Sequence, residues 1–196
     1  MIAPELKGLV AAGGYSRRMG RDKVLISYHG VPQAVWTYRL LSEFCTDTLL
    51  SCRADQNLGE AEILPRIHDR IPDSGALEGL LAAHAAHPFA AWLFVACDLP
   101  KLTPQTLGHL IAQRDPDAIA TAFISDFDGL PEPLCTIYEP SAFPILLAAA
   151  ALDFRCPRKI LIQNAPRVRL IELPDPDALD NINHPHEAEA FLNASS

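Results

Sequence analysis

One uninterrupted apolar segment near the middle of the chain constrains the fold most strongly. Ala91–Ala96 reads AWLFVA, and Asp98-Leu99-Pro100 follows after one further residue, Cys97. A strand with apolar side chains on both alternating faces is typical of a parallel sheet that is covered by helices on both sides. A second, mostly apolar run extends from Leu6 to Ala12 and ends at two glycines. The chain therefore predicts a sheet with at least two fully buried strands.

Helical and strand-like patterns alternate along the rest of the chain. The predicted helices span residues 32–44, 76–86, 105–114, 141–152, 157–163 and 185–192, and the predicted strands span residues 6–12, 48–51, 91–96, 117–123, 134–138 and 168–173. Right-handed crossovers between such strands give a doubly wound layer structure. We expect residues 1–196 to form one α/β domain, with a mostly parallel, Rossmann-like sheet between helices. Ligands in such folds bind beyond the carboxyl ends of the strands.

Composition and charge exclude several classes of partner. The formal net charge is −8, which argues against a general nucleic-acid or anionic-membrane surface. No apolar run reaches the roughly 20 residues that cross a bilayer, and the N-terminus lacks the pattern of a signal peptide. The five cysteines are scattered without a CxxC pair. We expect a cytoplasmic protein with reduced thiols that contacts neither nucleic acid nor membrane.

The segment after the first predicted strand combines glycines with cations. Residues 11–23 read AAGGYSRRMGRDK, which contains neither the dinucleotide-binding G-x-G-x-x-G pattern nor the P-loop G-x-x-x-x-G-K-[ST] pattern. Glycines let backbone amides approach a polyphosphate, and arginine and lysine side chains match its negative oxygens. The segment predicts an anion site, and a solvated turn with surface charges is the alternative.

The string Gly-Gly-x-Ser-x-Arg-Met-Gly-x-Asp-Lys at residues 13–23 resembles the signature loop of the molybdenum cofactor guanylyltransferase family. This family belongs to the small nucleotidyltransferases, and the resemblance extends over roughly residues 8 to 192. It implies an enzyme that joins GMP from GTP to the phosphate of molybdopterin and releases pyrophosphate. It also implies Mg²⁺ as the cofactor, with GTP and a molybdopterin-type acceptor as partners. Further molybdenum cofactor biosynthesis or acceptor proteins are candidate partners.

The resemblance assigns nucleotide-side roles to individual residues. The implied nucleotide-binding residues are Ala11, Ala12, Gly13, Gly14, Lys23, Ser51, Asp69 and Asp98. Lys23, Arg18 and Asp98 would be catalytic, with the two cations neutralising the departing pyrophosphate and Asp98 holding the metal. Ser51 stands where the family can have an asparagine. Without the neighbouring loop, Asp98 would equally suit a turn or a helix cap.

The acceptor-side assignments rest on weaker matches. Gly75-Ala76-Leu77-Glu78-Gly79 resembles the family's Gly-Pro-Leu-x-Gly turn, with alanine replacing proline. Asn181-Ile182-Asn183-His184-Pro185 resembles its Asn-x-Asn-Thr-Pro segment. The implied acceptor-binding residues are Gly75, Gly79, Asn181, Asn183 and Arg158. A helix start, asparagine caps and solvated helix-start charges are the alternatives, and the roles of His184 and of residues 156–159 stay open.

Other functions remain open at the level of sequence. A molybdopterin cytidylyltransferase is the nearest alternative, although Gly14 and the Asp22-Lys23 pair favour the guanine branch. Another small-molecule nucleotidyltransferase is a more distant one. A non-catalytic nucleotide-binding protein is the alternative from a different class, and the intact Lys23 and Asp98 argue against it.

Overall fold

The computed structural model describes residues 3–16, 19–20, 22–71 and 75–194. The strands are β1 (Leu6–Ala11), β2 (Thr48–Cys52), β3 (Arg66–His68), β4 (Ala91–Ala96), β5 (Ala120–Ile124), β6 (Pro131–Tyr138) and β7 (Val168–Ile171). The α-helices are α1 (Gln33–Ser42), α2 (Ala76–Ala86), α3 (Pro104–Ala112), α4 (Phe143–Ala151), α5 (Pro157–Gln163) and α6 (Pro185–Ala194). A short 3-10 helix, Lys23–Leu25, follows the segment 12–22, which we call the glycine loop.

The described strands form one seven-stranded sheet in the order β3-β2-β1-β4-β6-β5-β7. Strand β1 pairs in parallel with both β2 and β4, and the β2–β3 and β5–β7 pairs are also parallel. Helices cover both faces, because α1 and α3 pack on one side while α2, α4 and α5 pack on the other. The α/β class with a mostly parallel sheet is therefore confirmed.

Strand β4 shows why the apolar segment dictates this architecture. All of its residues are buried. Leu93 and Val95 pack with α1 and α3, whereas Trp92 and Phe94 pack with α2 and α4 on the opposite face. Helix α3 begins as the sequence indicates, with the Thr103 side chain accepting a hydrogen bond from the Thr106 amide and Pro104 in the first turn.

The largest differences from the sequence prediction lie at three strands. Strand β6 is antiparallel to both β4 and β5, because residues 125–130 are too few to form a crossover and instead close a hairpin. Strand β3 was not predicted, since its three residues lack an apolar pattern. Strand β5 spans Ala120–Ile124 rather than 117–123 because residues 115–118 form a turn, closed by the Ala118 amide donating to the Asp115 carbonyl.

The topology brings three loops to one edge of the sheet. Ala11 at the end of β1 lies beside both Ser51 in β2 and Ala96 in β4. The chain leaves β1 toward β2 on one side and returns through β4 on the other, so the strand order reverses at β1 and β4. Such a switch point creates a crevice at the carboxyl ends of the strands. No helix among the described residues is both long and apolar enough to cross a bilayer.

Candidate active site

A cavity of about 470 Å³ opens at the carboxyl ends of β1 and β4. Its volume lies within the range of roughly 300–1,000 Å³ that is typical of small-molecule sites. The lining residues include Ala11, Ala12, Gly13, Gly14, Tyr15, Ser16, Asp22, Lys23, Ser51, Arg53, Asp69, Gly75, Ala76, Asp98 and Asn183. The predicted nucleotide-side residues that the structure describes therefore surround one crevice.

Lys23 and Asp98 form an ion pair in this cavity. The Lys23 Nζ atom lies 2.9 Å from Asp98 Oδ2 and donates a second hydrogen bond of 2.6 Å to Asn183 Oδ1. The Lys23 and Asp98 side chains are only 15% and 19% exposed, so water screens this pair weakly. Segments that are far apart in the sequence thus converge on a single ammonium group.

Local hydrogen bonds place each of these three residues. Asp22 caps the 3-10 helix Lys23–Leu25 by accepting from the Val24 amide, and the Lys23 amide donates to Ser16 Oγ. The Ile182 amide donates to the Asp98 carbonyl at 3.1 Å, which brings the last loop to the end of β4.

Asn183 is fixed by the start of α6. Its amide and the His184 amide both donate to the Glu187 carboxylate at 2.7 and 2.9 Å. These two bonds lower the pKa of Glu187, because they stabilise its charged form. Asn183 therefore belongs to a helix cap and also lines the cavity, so the two interpretations of this segment are compatible.

The Asp98 carboxylate fits a magnesium ligand. Its Oδ2 atom accepts from Lys23, while its Oδ1 atom is buried and has no hydrogen-bond partner among the described residues. Within the described ranges, no group of three or more His, Cys, Asp or Glu side chains could hold a metal ion. Mg²⁺ is commonly bound by one or two carboxylates together with phosphate oxygens and water. The arrangement suits an ion whose other ligands are oxygens of a bound phosphate and water.

A second polar group lies at the ends of β2 and β3. Ser51 Oγ donates to Asp69 Oδ1 at 2.8 Å, and both residues line the cavity. Burial raises the pKa of Asp69, and the hydrogen bond from Ser51 opposes that rise. A Cβ atom at position 13 would overlap with Asp69 Oδ2, and one at position 79 would overlap with Ser51 Oγ and crowd Ser51 Cβ, so glycine fits both positions without displacing these side chains. These glycines let two segments approach the Ser51–Asp69 pair closely.

Several predicted residues lie elsewhere or have other partners. Gly79, Asn181 and Arg158 are absent from the cavity lining in the described part of the chain. The Arg158 guanidinium donates to Asp128 Oδ1 at 2.7 Å and to the Pro131 carbonyl at 3.0 Å, which ties α5 to the β5–β6 hairpin. Arg18 lies outside the described residues. The acceptor role of Arg158 stays a prediction, and it would require these bonds to be exchanged for the acceptor.

Sequence reasoning missed Arg53, which lines the cavity directly after β2. Its Nη1 atom donates to the carbonyls of Gly13 and Gly14 at 2.7 and 3.0 Å. Its guanidinium carbon lies 4.2 Å from the centre of the Tyr15 ring. The signal that could have revealed it is topological: a polar residue that follows a central strand lies at the same edge as the glycine loop.

Comparisons with known proteins agree with this geometry. The MobA-like NTP transferase domain family matches residues 8–168. The molybdenum cofactor biosynthesis bifunctional protein of Synechocystis sp. is 39% identical over 186 residues, which cover 93% of this chain and 52% of that protein. This chain therefore spans about half the length of that relative. The probable molybdenum cofactor guanylyltransferase of Trichormus variabilis is 32% identical over 187 residues, which cover 93% of this chain and 88% of that protein.

A solved structure shares the fold over nearly its whole length. It is the molybdopterin-guanine dinucleotide biosynthesis protein A from Archaeoglobus fulgidus, which superposes with a TM-score of 0.78 at 24% identity. The match covers 96% of this chain and 98% of that one. The family match and the relatives confirm the resemblance that the glycine loop indicated: this chain belongs to the MobA-like NTP transferase family of nucleotidyltransferases.

Proposed function

We propose that this chain transfers GMP from GTP to the phosphate of a molybdopterin acceptor and releases pyrophosphate. The observation that carries the proposal is the Lys23–Asp98 ion pair inside the cavity that the glycine loop borders. The name of the Trichormus relative, a probable molybdenum cofactor guanylyltransferase, supports the choice of nucleotide, and the names of both relatives support an acceptor from molybdenum cofactor biosynthesis. An oxygen of the acceptor phosphate would attack the α-phosphorus of GTP. The bond from that phosphorus to the oxygen bridging the α- and β-phosphates would break, and pyrophosphate would leave with that oxygen.

This reaction asks the protein for positioning and charge rather than for proton transfer. An ionised phosphate is already a nucleophile, so no general base or covalent intermediate is required. The negative charge on the departing pyrophosphate grows as the bond breaks, and Lys23 is the described cation placed at the end of the glycine loop to meet it. Contacts that strengthen in the transition state accelerate the chemical step.

Asp98 would hold Mg²⁺ through its unpartnered Oδ1 atom. The ion would supply charge neutralisation at the phosphates and polarisation of the α-phosphate. Lys23 donates to the other oxygen of the same carboxylate, so it would keep Asp98 oriented. An ammonium group has three N–H donors, and one not used within the protein would bind a phosphate oxygen.

The Ser51–Asp69 pair would bind the nucleoside end of GTP. Asp69 lies beside Gly13. It follows β3, whereas Asp98 follows β4, and β2 and β1 lie between these two strands in the sheet. A carboxylate accepts hydrogen bonds only, so it selects a ligand edge that donates. We infer that this pair contributes to the preference for guanine, whose ring N–H and amino groups are donors. Gly75 and Asn183 would border the acceptor.

The working location follows from the same proposal. All five cysteines are free thiols, as is usual for proteins in a reducing compartment. We infer that the enzyme acts in the cytoplasm, where GTP is available.

Stabilisation by each nucleoside triphosphate tests the proposal. With Mg²⁺ present, GTP should raise the unfolding temperature more than CTP, ATP or UTP, because a ligand stabilises the folded state by RT ln(1 + [L]/Kd). Formation of a guanine dinucleotide and pyrophosphate from GTP and a molybdopterin acceptor then tests the transfer itself. A larger effect of CTP would place the chain in the cytosine branch. Selective binding of GTP without transfer would make it a nucleotide-binding protein only.

A further inference from the structure

Two side chains from the segment after β2 hold three successive carbonyl groups of the glycine loop. Gln56 Nε2 donates to the Ala12 carbonyl at 2.9 Å. Arg53 Nη1 donates to the carbonyls of Gly13 and Gly14 at 2.7 and 3.0 Å. The Gln56 side chain is itself held, because its Oε1 atom accepts from the Arg53 amide at 3.2 Å. The loop backbone is therefore fixed from one side by a compact pair of side chains.

The geometry of the peptide group sets the direction of the amides. In a trans peptide, the carbonyl of one residue and the amide of the next point in opposite directions. The described part of the chain contains no cis peptide bond. Carbonyls that face Arg53 and Gln56 therefore turn the amides of Gly13, Gly14 and Tyr15 to the other side of the loop. The Gly13 and Gly14 amides donate to no other described residue.

The same pair of side chains closes the loop at its far end. Gln56 Nε2 also donates to Asp22 Oδ2 at 2.9 Å, and Arg53 Nη2 lies 3.7 Å from that oxygen. Asp22 in turn caps the 3-10 helix that begins with Lys23. One amide group thus connects the first and last residues of the loop, Ala12 and Asp22, and the position of Lys23 depends on that connection.

We propose that Arg53 and Gln56 are positioning residues that hold the loop as a preformed site for the di- or triphosphate group of the nucleotide. Successive backbone amides that converge on one side of a loop form an anion-binding concavity. The inference rests on the proposed function for the identity of the nucleotide, but the polyphosphate site itself requires neither guanine nor an acceptor.

The contacts argue for positioning rather than for direct binding. The Nη1 group of Arg53 donates to two carbonyls, and the Tyr15 ring lies against one face of the Arg53 guanidinium. Gln56 is 7% exposed and is absent from the cavity lining among the described residues. Gln56 can therefore affect the binding of a ligand in the cavity only through the loop.

Amide resonances give a direct test that needs no enzymatic activity. Ala12-Gly13 is the only Ala-Gly pair in the sequence and Gly13-Gly14 the only Gly-Gly pair. Carbonyl-¹³C labelling of alanine or glycine, combined with ¹⁵N-glycine, therefore selects each of these two amides. Titration of the full chain with inorganic tripolyphosphate should move both amide protons downfield, as expected for hydrogen bonds to phosphate. Absence of any such response would overturn the inference.

Variants separate positioning from direct contact. Arg53→Met and Gln56→Leu should each weaken tripolyphosphate binding on the order of tenfold or more, the scale of losing a charged hydrogen bond or leaving a buried acceptor unpaired. Both should also reduce the downfield shift of Gly13 and Gly14 at saturation. Arg66→Met is the matched control, since Arg66 donates to Glu62 outside the cavity, and it should change neither quantity.

Opposite outcomes are equally clear. Weaker binding with full amide shifts at saturation would mean that Arg53 contacts the phosphates itself, and unchanged affinity in both variants would remove the positioning role. If Arg53→Met does not fold, Arg53→Lys and Gln56→Leu carry the same comparison. Because tripolyphosphate has no base and no acceptor, failure of GMP transfer with intact amide shifts overturns only the proposed function. Transfer without amide shifts overturns only this inference.

Discussion

Replacing Gly79 by alanine should destabilise the protein, although the residue lies inside α2. In a helix interior, alanine is favoured over glycine by about 0.8–1.0 kcal/mol. A Cβ atom at position 79, however, would overlap with Ser51 Oγ and lie 2.9 Å from Ser51 Cβ. Rotating the serine hydroxyl away would not relieve the second contact, because the Cβ atom moves only with the strand backbone.

The strand has little room to move. Ser51 is 3% exposed, and it is paired with Ala11 on one side and Ile67 on the other. Overpacking in such a position costs about 1–3 kcal/mol. Since the upper part of that range applies to a rigid neighbour, we expect a net loss of about 1–2 kcal/mol after the helix preference is subtracted. At about 2–4 °C per kcal/mol for a chain of this size, the unfolding temperature should fall by about 2–8 °C.

Gly108→Ala provides the matched control. Gly108 lies inside α3, and its nearest neighbour to a new Cβ atom would be Phe44 Cε1 at the ordinary distance of 3.9 Å. This variant should gain up to about 1 kcal/mol and unfold at a temperature about 2–4 °C higher. Thermal unfolding, followed by circular dichroism, compares the two variants. In a protein that already carries Ser51→Gly, the further change Gly79→Ala should be stabilising. Equal stabilisation by both alanines would refute the steric argument.

The remaining predictions concern charges and thiols. Asp98→Asn should keep the fold but lower Mg²⁺-dependent transfer on the order of 100-fold or more, measured as the single-turnover rate; an unchanged rate would exclude a metal role. Lys23→Ala should lower turnover at saturating GTP more than it lowers GTP affinity; the reverse pattern would make Lys23 a ground-state anchor. Burial raises the pKa of Asp69 above 3.8, so the folded state holds this proton more tightly and stability is lost as the pH rises through the raised pKa. The unfolding free energy of Asp69→Asn relative to the parent protein should therefore increase as the pH rises above about 4, and a flat difference would contradict the shift. Burial raises the pKa of Cys45 to about 12 and of Cys52 to about 11, whereas Cys156 is exposed; an aromatic disulfide reagent should titrate one fast thiol in the native protein, and several fast thiols would contradict the burial.

Local sequence patterns were sufficient to predict the class of fold and the main elements of the site. The segment Ala91–Ala96 predicts a strand buried on both faces, because successive side chains of a strand point to opposite faces and all of these side chains are apolar. The glycine loop and the carboxylate after β4 could be assigned to one edge of the sheet, since parallel strands place their carboxyl ends together. Lys23 and Asp98 indeed form an ion pair there, although 75 positions separate them in the chain.

Which side chains contact each other depends on the packing of segments that are distant in the sequence. Three contacts could not be predicted from local patterns, because each joins segments that are distant in the sequence. They are the antiparallel pairing of β6 with β4, the contact of Gly79 with Ser51 and the hydrogen bond of Arg158 to Asp128. Arg53 is the clearest case, because its position after β2 places it at this edge of the sheet but does not show that it contacts the glycine loop. Its role follows from distances of a few ångströms between the end of β2 and the glycine loop. Periodicity encodes burial, whereas side-chain partners depend on how separate elements pack.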